Sequence, residues 1–205
     1  DGICGTGDDV LVLGYLSIGE DDRPGAPFAG DGTGPRVDPR PLGVGPFRDI
    51  EMLGHRSPGG GQYASYYLDD GSLLEDGSSA HDGFPDRNAT FGAYYVNAGD
   101  PDWLEILRNS TKEIDGKSGI DELLTQTAGA GYGCDGLFLD TLDVAAPNSY
   151  GATQHEWTAS GMSALIGQIA DAFPEKVMMA NRGLFYYDPN LEHYHFSTRG
   201  SLNAV

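Results

Sequence analysis

Carboxylates stand at the ends of two apolar runs in this sequence, and their placement predicts where its chemistry is done. Asp140 and Asp143 close the segment GYGCDGLFLDTLD, residues 131–143, and Glu20 closes DVLVLGYLSIGE, residues 9–20. A short apolar run between glycine and an acid predicts a buried strand. Because α/β proteins place their active sites at the carboxyl ends of parallel strands, the three acids are candidate catalytic residues. The alternative is an ordinary turn in which Asp140 or Asp143 caps the next element.

Two further predicted strands also end in polar side chains. The strand AYYVN leads to Asn97 and Asp100, and the strand VMMA leads to Asn181 and Arg182. In a parallel sheet these ends meet the acids on one face, where paired carboxylates can supply the proton donor and the nucleophile or base of glycosidic cleavage. Nearby tyrosines offer flat faces on which a sugar ring can stack, although each of them taken alone is more typical of a core or loop anchor. The predicted substrate-binding residues are Tyr15, Tyr95, Asn97, Asp100, Asn181 and Arg182.

The segments between these strands favour helices. The dipeptide Asp100-Pro101 is typical of a helix N-terminus, and a second helix, capped by Ser118, is predicted to run through about Ala128. Residues 153–173 form the longest predicted helix, with Trp157 in its buried stripe. The alternation of strand and helix favours parallel β/α units within a single α/β domain.

The composition excludes several classes of function. The 205 residues include 31 glycines and 12 prolines, and 31 acidic against 12 basic residues give a formal net charge of −19. Lysine and arginine are scattered, whereas a phosphate backbone requires clustered positive charge, so nucleic acid is not an expected partner. A polyanionic polysaccharide would be repelled, whereas a neutral or cationic amino-sugar glycan would not. No apolar run reaches the length of a transmembrane segment. The acid excess also fits simple solubility in an extracellular medium.

Residues 21–90 form a long loop insertion rich in glycine and proline, which disfavour long helices and central strands. Its acidic stretch offers oxygens to a hard cation such as calcium, but the spacing differs from the EF-hand, and a solvated acidic loop is the alternative. The weak calcium candidates are Asp69, Asp70, Asp76 and Asp82. No other cofactor is expected, because His155, His193 and His195 lack a recognised zinc-ligand spacing.

The cysteines and two glycosylation sequons bear on the compartment. Cys4 and Cys134 each precede a predicted strand, so a single disulfide between neighbouring strands is geometrically open to them. The triplets that begin at Asn88 and Asn109 match the N-glycosylation sequon, although such triplets often arise by chance. Both features fit an extracellular or cell-surface protein.

The strand-end motifs, taken in order, resemble one family of enzymes. YLSIGE (15–20), YVNAGDPDW (95–103), GCDGLFLDTLD (133–143) and ANRG (180–183) are similar to motifs of glycoside-hydrolase family 114. That family includes endo-α-1,4-polygalactosaminidases and related hydrolase domains of bacterial exopolysaccharide systems. The resemblance, which covers about residues 10–205, implies a (β/α)8 TIM-barrel-like fold that acts on galactosamine-containing glycans. It also implies that Asp140 is an active-site carboxylate, with Glu20, Asp143 and Asn181 at the pocket.

The chain is shorter than the barrel of that family, which has a strand before YLSIGE and several after ANRG. We therefore expect residues 1–205 to be one partial barrel domain, truncated at both ends, with a further active-site glutamate just past Val205. The first hypothesis for function is a secreted glycoside hydrolase that cleaves α-linked galactosamine-containing polysaccharide by carboxylate acid/base chemistry. The second is a non-catalytic extracellular protein, glycan-binding or self-assembling, built on a glycosidase-like scaffold.

Overall fold

The computed structural model of the protein describes residues 10–23, 55–56, 62–63, 66–68, 86, 88, 90–126, 130–150, 155–196, 198 and 200–204. Within these residues there are seven strands, β1 (Leu13–Ser17), β2 (Glu20–Asp21), β3 (His55–Arg56), β4 (Gln62–Tyr63), β5 (Tyr94–Tyr95), β6 (Gly136–Asp140) and β7 (Val177–Ala180). The same residues contain four α-helices, α1 (Pro101–Asn109), α2 (Lys112–Asp115), α3 (Ile120–Leu124) and α4 (Ala159–Ala172). Short 3₁₀ helices span Leu142–Ala145, Glu156–Thr158, Leu184–Tyr187 and Glu192–Phe196.

Three strands form a parallel sheet in the order β1-β6-β7. The central strand, β6, is the apolar run of the sequence, and its alternate residues Leu137 and Leu139 are fully buried. The register places Ser17 of β1 opposite Asp140 of β6, and Leu139 opposite Ala180 of β7. Because the three strands run in one direction, the residues that follow them meet at one edge of the sheet.

The predicted (β/α)8 barrel is wrong, including its partial form. Such a barrel needs a closed ring of parallel strands, each followed by a helix. The described residues instead contain the small three-stranded parallel sheet and four α-helices. The strand predicted at residues 93–97 is reduced to β5, which pairs antiparallel with β2 in a separate two-stranded sheet. A strand that runs against its partner cannot be a member of a parallel ring.

The first helix begins where the sequence predicts. The Asp100 side chain accepts a hydrogen bond from the backbone N–H of Asp102 at 3.0 Å, and Pro101 occupies the first turn. Trp103 is buried in the core, and its indole nitrogen donates to the Ile18 carbonyl at 2.8 Å. This bond ties α1 to the turn between β1 and β2. The second predicted helix is shorter than expected, because α3 begins after Gly119 rather than at Ser118 and ends at Leu124.

The longest helix differs from its prediction at the N-terminal end. The segment Glu156–Thr158 is a 3₁₀ turn, and α4 begins at Ala159. Trp157, predicted to be buried, is 57% exposed. The rest of the predicted apolar stripe is in the core, namely Met162, Leu165, Ile166 and Ile169.

The strand predicted at residues 9–20 is also shorter than expected. Val10, Leu11 and Val12 are exposed, and β1 begins at Leu13. The backbone of Val12 exchanges hydrogen bonds with Asp135, whose carboxylate accepts from the Val12 N–H at 2.8 Å. These residues therefore lead into the sheet rather than fill the core.

Several predictions fall on residues that the structure does not describe. The calcium candidates Asp69, Asp70, Asp76 and Asp82 lie outside the described residues, as does Cys4. Cys134 is buried and forms no disulfide within the described part of the chain, so the Cys4–Cys134 bridge stays a prediction. In the described residues, no group of three or more His, Cys, Asp or Glu side chains is arranged to hold a metal ion. Among the helices described, none is long and apolar enough to cross a membrane.

Gly136 packs so closely against β7 that we expect it to be essential to the sheet. A Cβ atom at this position would overlap the carbonyl oxygen of Val177. Gly136→Ala is therefore expected to lower the free energy of unfolding by about 3 kcal/mol, since the strands must move apart. Gly200→Ala is the matched control, because no heavy atom lies within 4 Å of the Cβ position there. Denaturant unfolding of both variants tests this, and equal midpoints would contradict it.

Candidate active site

A cleft of about 490 Å³ opens where the chain leaves the parallel sheet. Glu20 of β2, Tyr95 of β5, Asp143 after β6 and Arg182 after β7 all line it. The walls are largely apolar and include Phe91, Val144, Ala146, Tyr150, Leu184 and Phe185. The cleft therefore combines acidic groups with apolar surface, which is the usual composition of a ligand site.

Asp140, the last residue of β6, accepts hydrogen bonds from three donors. The Tyr15 hydroxyl donates to Oδ2 at 2.8 Å, the Asn181 side-chain amide donates to Oδ1 at 2.8 Å, and the Thr141 N–H donates to Oδ1 at 2.9 Å. Burial, followed by the hydrogen bond to Asp140, raises the pKa of Tyr15 well above its ordinary value, so Tyr15 stays protonated and remains a donor. The carboxylate orientation is thus fixed by neighbours on β1 and β7.

The Thr141 hydroxyl joins the ends of β1 and β6. It donates to the Asp140 carbonyl at 2.6 Å and accepts from the Gly19 N–H at 2.8 Å. It also lies 3.1 Å from the Ser17 hydroxyl, which donates to the Glu20 carbonyl at 2.7 Å. Thr141 has a φ of 66°, in the left-handed region that non-glycine residues rarely adopt. This strained residue therefore sets the spacing between the chain segments that carry Glu20 and Asp140.

Glu20 is nearly buried, with 7% of its surface exposed. Burial is the largest cause of a rise in its pKa to about 7, and the negative charges of Asp143 and Asp140 act in the same direction. The Asn88 side-chain amide, which donates to Oε1 at 2.9 Å, opposes this rise. Glu20 is therefore mostly protonated in mildly acidic solution and about half protonated near neutral pH.

The next residue, Asp21, has the opposite shift in its pKa. Burial alone would raise the pKa, but the Arg23 ion pair and the hydrogen bonds from Arg23 and Tyr67 lower it overall. The Arg23 guanidinium lies 2.8 Å from Oδ2, and the Tyr67 hydroxyl donates to the same oxygen at 2.6 Å. Asp21 is therefore a charged anchor that holds β2 in place beneath Glu20.

The structure separates the predicted site residues into two groups. Glu20, Tyr95, Asp143 and Arg182 line the cleft, and Asp143 forms an ion pair with Arg182 at its wall. Asp140, Tyr15 and Asn181 form a hydrogen-bonded cluster. Asp140 is partly exposed and close enough for its charge to affect Glu20, but it is not among the described residues that line the cleft.

Two predicted substrate-binding residues have structural contacts instead. Asp100 is the N-cap of α1, and the Asn97 side chain accepts from the Gly99 N–H at 3.0 Å. Both residues lie beyond β5, whose last residue, Tyr95, is the one that lines the cleft.

Sequence reasoning missed Asn88, Ser17 and Thr141, which position the carboxylates. Asn88 was noted only as the start of a sequon, yet its side-chain nitrogen, the atom that N-glycosylation would modify, donates to Glu20. Ser17 is the last residue of β1 and Thr141 directly follows β6, and this position at a strand end is the signal that could have identified them. Asn88 lies far from Glu20 along the chain and gives no such signal.

Comparisons with family models, with curated proteins and with solved structures found no match to this chain. The resemblance to glycoside-hydrolase family 114 therefore stays a prediction carried by the four motifs.

Removal of the Thr141 hydroxyl is expected to weaken the junction between β1 and β6. Thr141→Val keeps the β-branched shape but leaves the Gly19 N–H without its acceptor, so we expect a loss of about 1–3 kcal/mol in unfolding free energy. Thr141→Ser keeps the hydroxyl and is expected to retain most of the stability. Thr90→Val, at an exposed position, is the control. Denaturant unfolding that gives the same midpoint for the Val and Ser variants would contradict this role.

The proton on Glu20 makes stability depend on pH. The folded-state pKa of about 7 lies above the ordinary value of 4.5 for glutamate, so the protein binds this proton more tightly when folded and loses stability as pH rises from about 4.5 through 7. Glutamine does not titrate, so Glu20→Gln removes this loss. We expect the change in unfolding free energy caused by the substitution to be more favourable at pH 8 than at pH 5, by at most about 3 kcal/mol.

Thermal melts at the two pH values measure this difference for Glu20→Gln. Glu105→Gln, on the exposed face of α1, is the matched control and is expected to show little pH dependence. The prediction is contradicted if the difference in melting temperature between Glu20→Gln and the wild-type protein is the same at pH 5 and pH 8. Glu20 would then have an ordinary pKa.

Proposed function

We propose that the protein is a secreted glycoside hydrolase that cleaves α-linked galactosamine-containing polysaccharide by acid/base chemistry between carboxyl groups. The observation that carries the proposal is the position of Glu20, a nearly buried acid on a cleft that also contains Asp143, where burial raises its pKa. A buried acid with a raised pKa close to a second carboxyl group is characteristic of glycosidases.

Glu20 is the proton donor in this proposal. A general acid works best when its pKa is close to the pH at which it operates, and a value of about 7 meets that requirement in neutral solution. The Asn88 amide holds Oε1, which leaves Oε2 to carry the proton toward the glycosidic oxygen. As the bond to the leaving group breaks, Glu20 becomes the carboxylate.

Asp140 is assigned as the second carboxylate, which acts on the sugar carbon directly or through water, because the motif resemblance places it in the active site and its charge affects Glu20, although the cleft lining itself contains Asp143 rather than Asp140. Its three donors fix its orientation before substrate arrives, which is the arrangement expected of a catalytic carboxylate. Asp143, paired with Arg182 at the cleft wall, is assigned to substrate binding together with Tyr95. The roles of Asp140 and Asp143 are separable by mutation.

The cleft surface supports a carbohydrate substrate. Phe91 is 82% exposed, Leu184 is 69% exposed and Tyr150 is 61% exposed, and all three border the cleft. Exposed apolar groups around a polar floor suit sugar rings, which have one apolar face and a polar edge. The net charge of −19 favours a protonated amino sugar over a polyanion. The motif resemblance supplies galactosamine as the specific sugar.

The second hypothesis, a non-catalytic extracellular protein that binds glycan or assembles with itself, is supported by the same exposed rim. The two hypotheses differ in whether the bound glycan is cleaved. A monomeric preparation that binds the polymer without releasing new ends would favour the second hypothesis.

Replacement of the two proposed catalytic groups is expected to abolish most of the activity. Glu20→Gln and Asp140→Asn should each lower kcat/KM by about 100-fold or more, because each removes a group that acts in the transition state. Asp143→Asn should mainly raise KM. The assay is release of reducing ends from α-1,4-linked polygalactosamine.

Asp100→Asn is the control for these variants, since asparagine also caps helices and Asp100 lies at the α1 N-terminus. It is expected to retain wild-type activity. Full activity in Asp140→Asn would overturn the assignment of that residue, and full activity in Glu20→Gln would overturn the mechanism.

A further inference from the structure

A second cavity, of about 390 Å³, lies beside the candidate active site. The two cavities share a wall, because Ala146 and Tyr150 line the first and Asn148, between them, lines the second. The wall continues through an aromatic contact between Phe185 of the first cavity and His193 of the second, whose ring centroids are 5.2 Å apart. The second cavity therefore lies on the other side of a wall that the two sites share.

An exposed tryptophan forms part of this second cavity. Trp157 is 57% exposed, whereas Trp103, the other tryptophan of the chain, is 1% exposed. Trp157 precedes α4 in a 3₁₀ turn, which directs it away from the helix stripe that enters the core. A large aromatic face that borders a cavity and is open to solvent offers a platform for a sugar ring, and attracts a cation over the ring.

The ionisable groups of the cavity favour a cationic ligand. Glu156 and Glu192 line it, and the described lining residues include neither lysine nor arginine. Glu156 is held in place, because its Oε2 accepts from the Asn148 N–H at 2.8 Å. His193 is buried in the wall, where its Nε2 donates to the Ala145 carbonyl at 2.9 Å. Glu192 is exposed and accessible to a ligand.

We propose that this second cavity is a separate subsite for a protonated amino sugar, with Trp157 stacked on the sugar ring and Glu156 and Glu192 in contact with its ammonium group. The proposal rests on the proposed function, which supplies the galactosamine polymer as the source of the amino sugar. The subsite binds glycan units with free amines in preference to N-acetylated ones, since acetylation removes the charge that the two carboxylates recognise.

Tryptophan fluorescence provides a direct probe of this subsite. An α-1,4-linked galactosamine oligomer is titrated into the Glu20→Gln protein, in which the proposed hydrolysis is blocked, and the emission of the exposed Trp157 is followed against the buried Trp103. We expect a saturable change with the amine oligomer and an affinity at least tenfold lower for the fully N-acetylated oligomer. Methylammonium, which carries the charge without the ring, is expected not to saturate the signal at the same concentrations.

Two variants on the Glu20→Gln background test the assigned contacts by calorimetry. Trp157→Ala removes the stacking face and Glu192→Gln removes a charge from an exposed position, and each is expected to weaken binding of the amine oligomer about tenfold. Circular dichroism checks that both remain folded. Ser160→Ala, also in the lining, is a control expected to change affinity less than twofold. Equal affinity for the amine and N-acetylated oligomers, or unchanged affinity in Trp157→Ala, would overturn the subsite.

The outcomes for the subsite and for the hydrolase are independent. Wild-type protein that hydrolyses the polymer while both variants bind normally would disprove the subsite and leave the proposed function in place. Protein that binds the amine oligomer through Trp157 and Glu192 but never hydrolyses the polymer would support the subsite and disprove the hydrolase.

Discussion

The ends of β1 and β6 are held together by the hydroxyl of Thr141, and the candidate site depends on that contact. The hydroxyl is shared between the Asp140 carbonyl and the Gly19 N–H. Gly19 must be glycine, because a Cβ atom there would overlap the Thr141 carbonyl oxygen. The left-handed backbone of Thr141 is an energetic cost that these hydrogen bonds offset. The Thr141 hydroxyl thereby places Glu20, whose pKa is raised, and the hydrogen-bonded Asp140 on neighbouring segments of the chain.

Glu20 and Asp21, the two residues of β2, are both buried, yet their pKa values shift in opposite directions. Asp21 is more deeply buried than Glu20, yet an arginine and a tyrosine hydroxyl stabilise its charge and lower its pKa. Glu20 has an amide donor, which offsets only part of the effect of burial, and its pKa is raised. The difference comes from the partners rather than from depth alone. One carboxyl anchors the strand while the other retains a proton for chemistry.

Local sequence patterns located several elements but not their assembly. The apolar runs at β6 and β7 and the Asp100-Pro101 start of α1 depend on nearby residues, and the structure has them where they were predicted. The antiparallel pairing of β5 with β2 depends on contacts between distant segments, which is why the barrel prediction failed. Trp157 fits the helical period yet is exposed, because the chain before α4 is a 3₁₀ turn. The hydrogen bond from Asn88 to Glu20 joins residues that lie far apart in the sequence, so only the tertiary structure reveals it.

The central claim is that Glu20 donates a proton to a glycosidic bond, and the pH dependence of kcat/KM tests it most directly. On α-1,4-linked polygalactosamine, the account predicts activity that falls as pH rises through about 7, because Glu20 then loses its proton. In Asn88→Ala the falling limb should move to higher pH, since the lost hydrogen bond is the interaction that lowers the pKa of Glu20. Activity that stays constant up to pH 9, or a falling limb that Asn88→Ala does not move, would contradict the account.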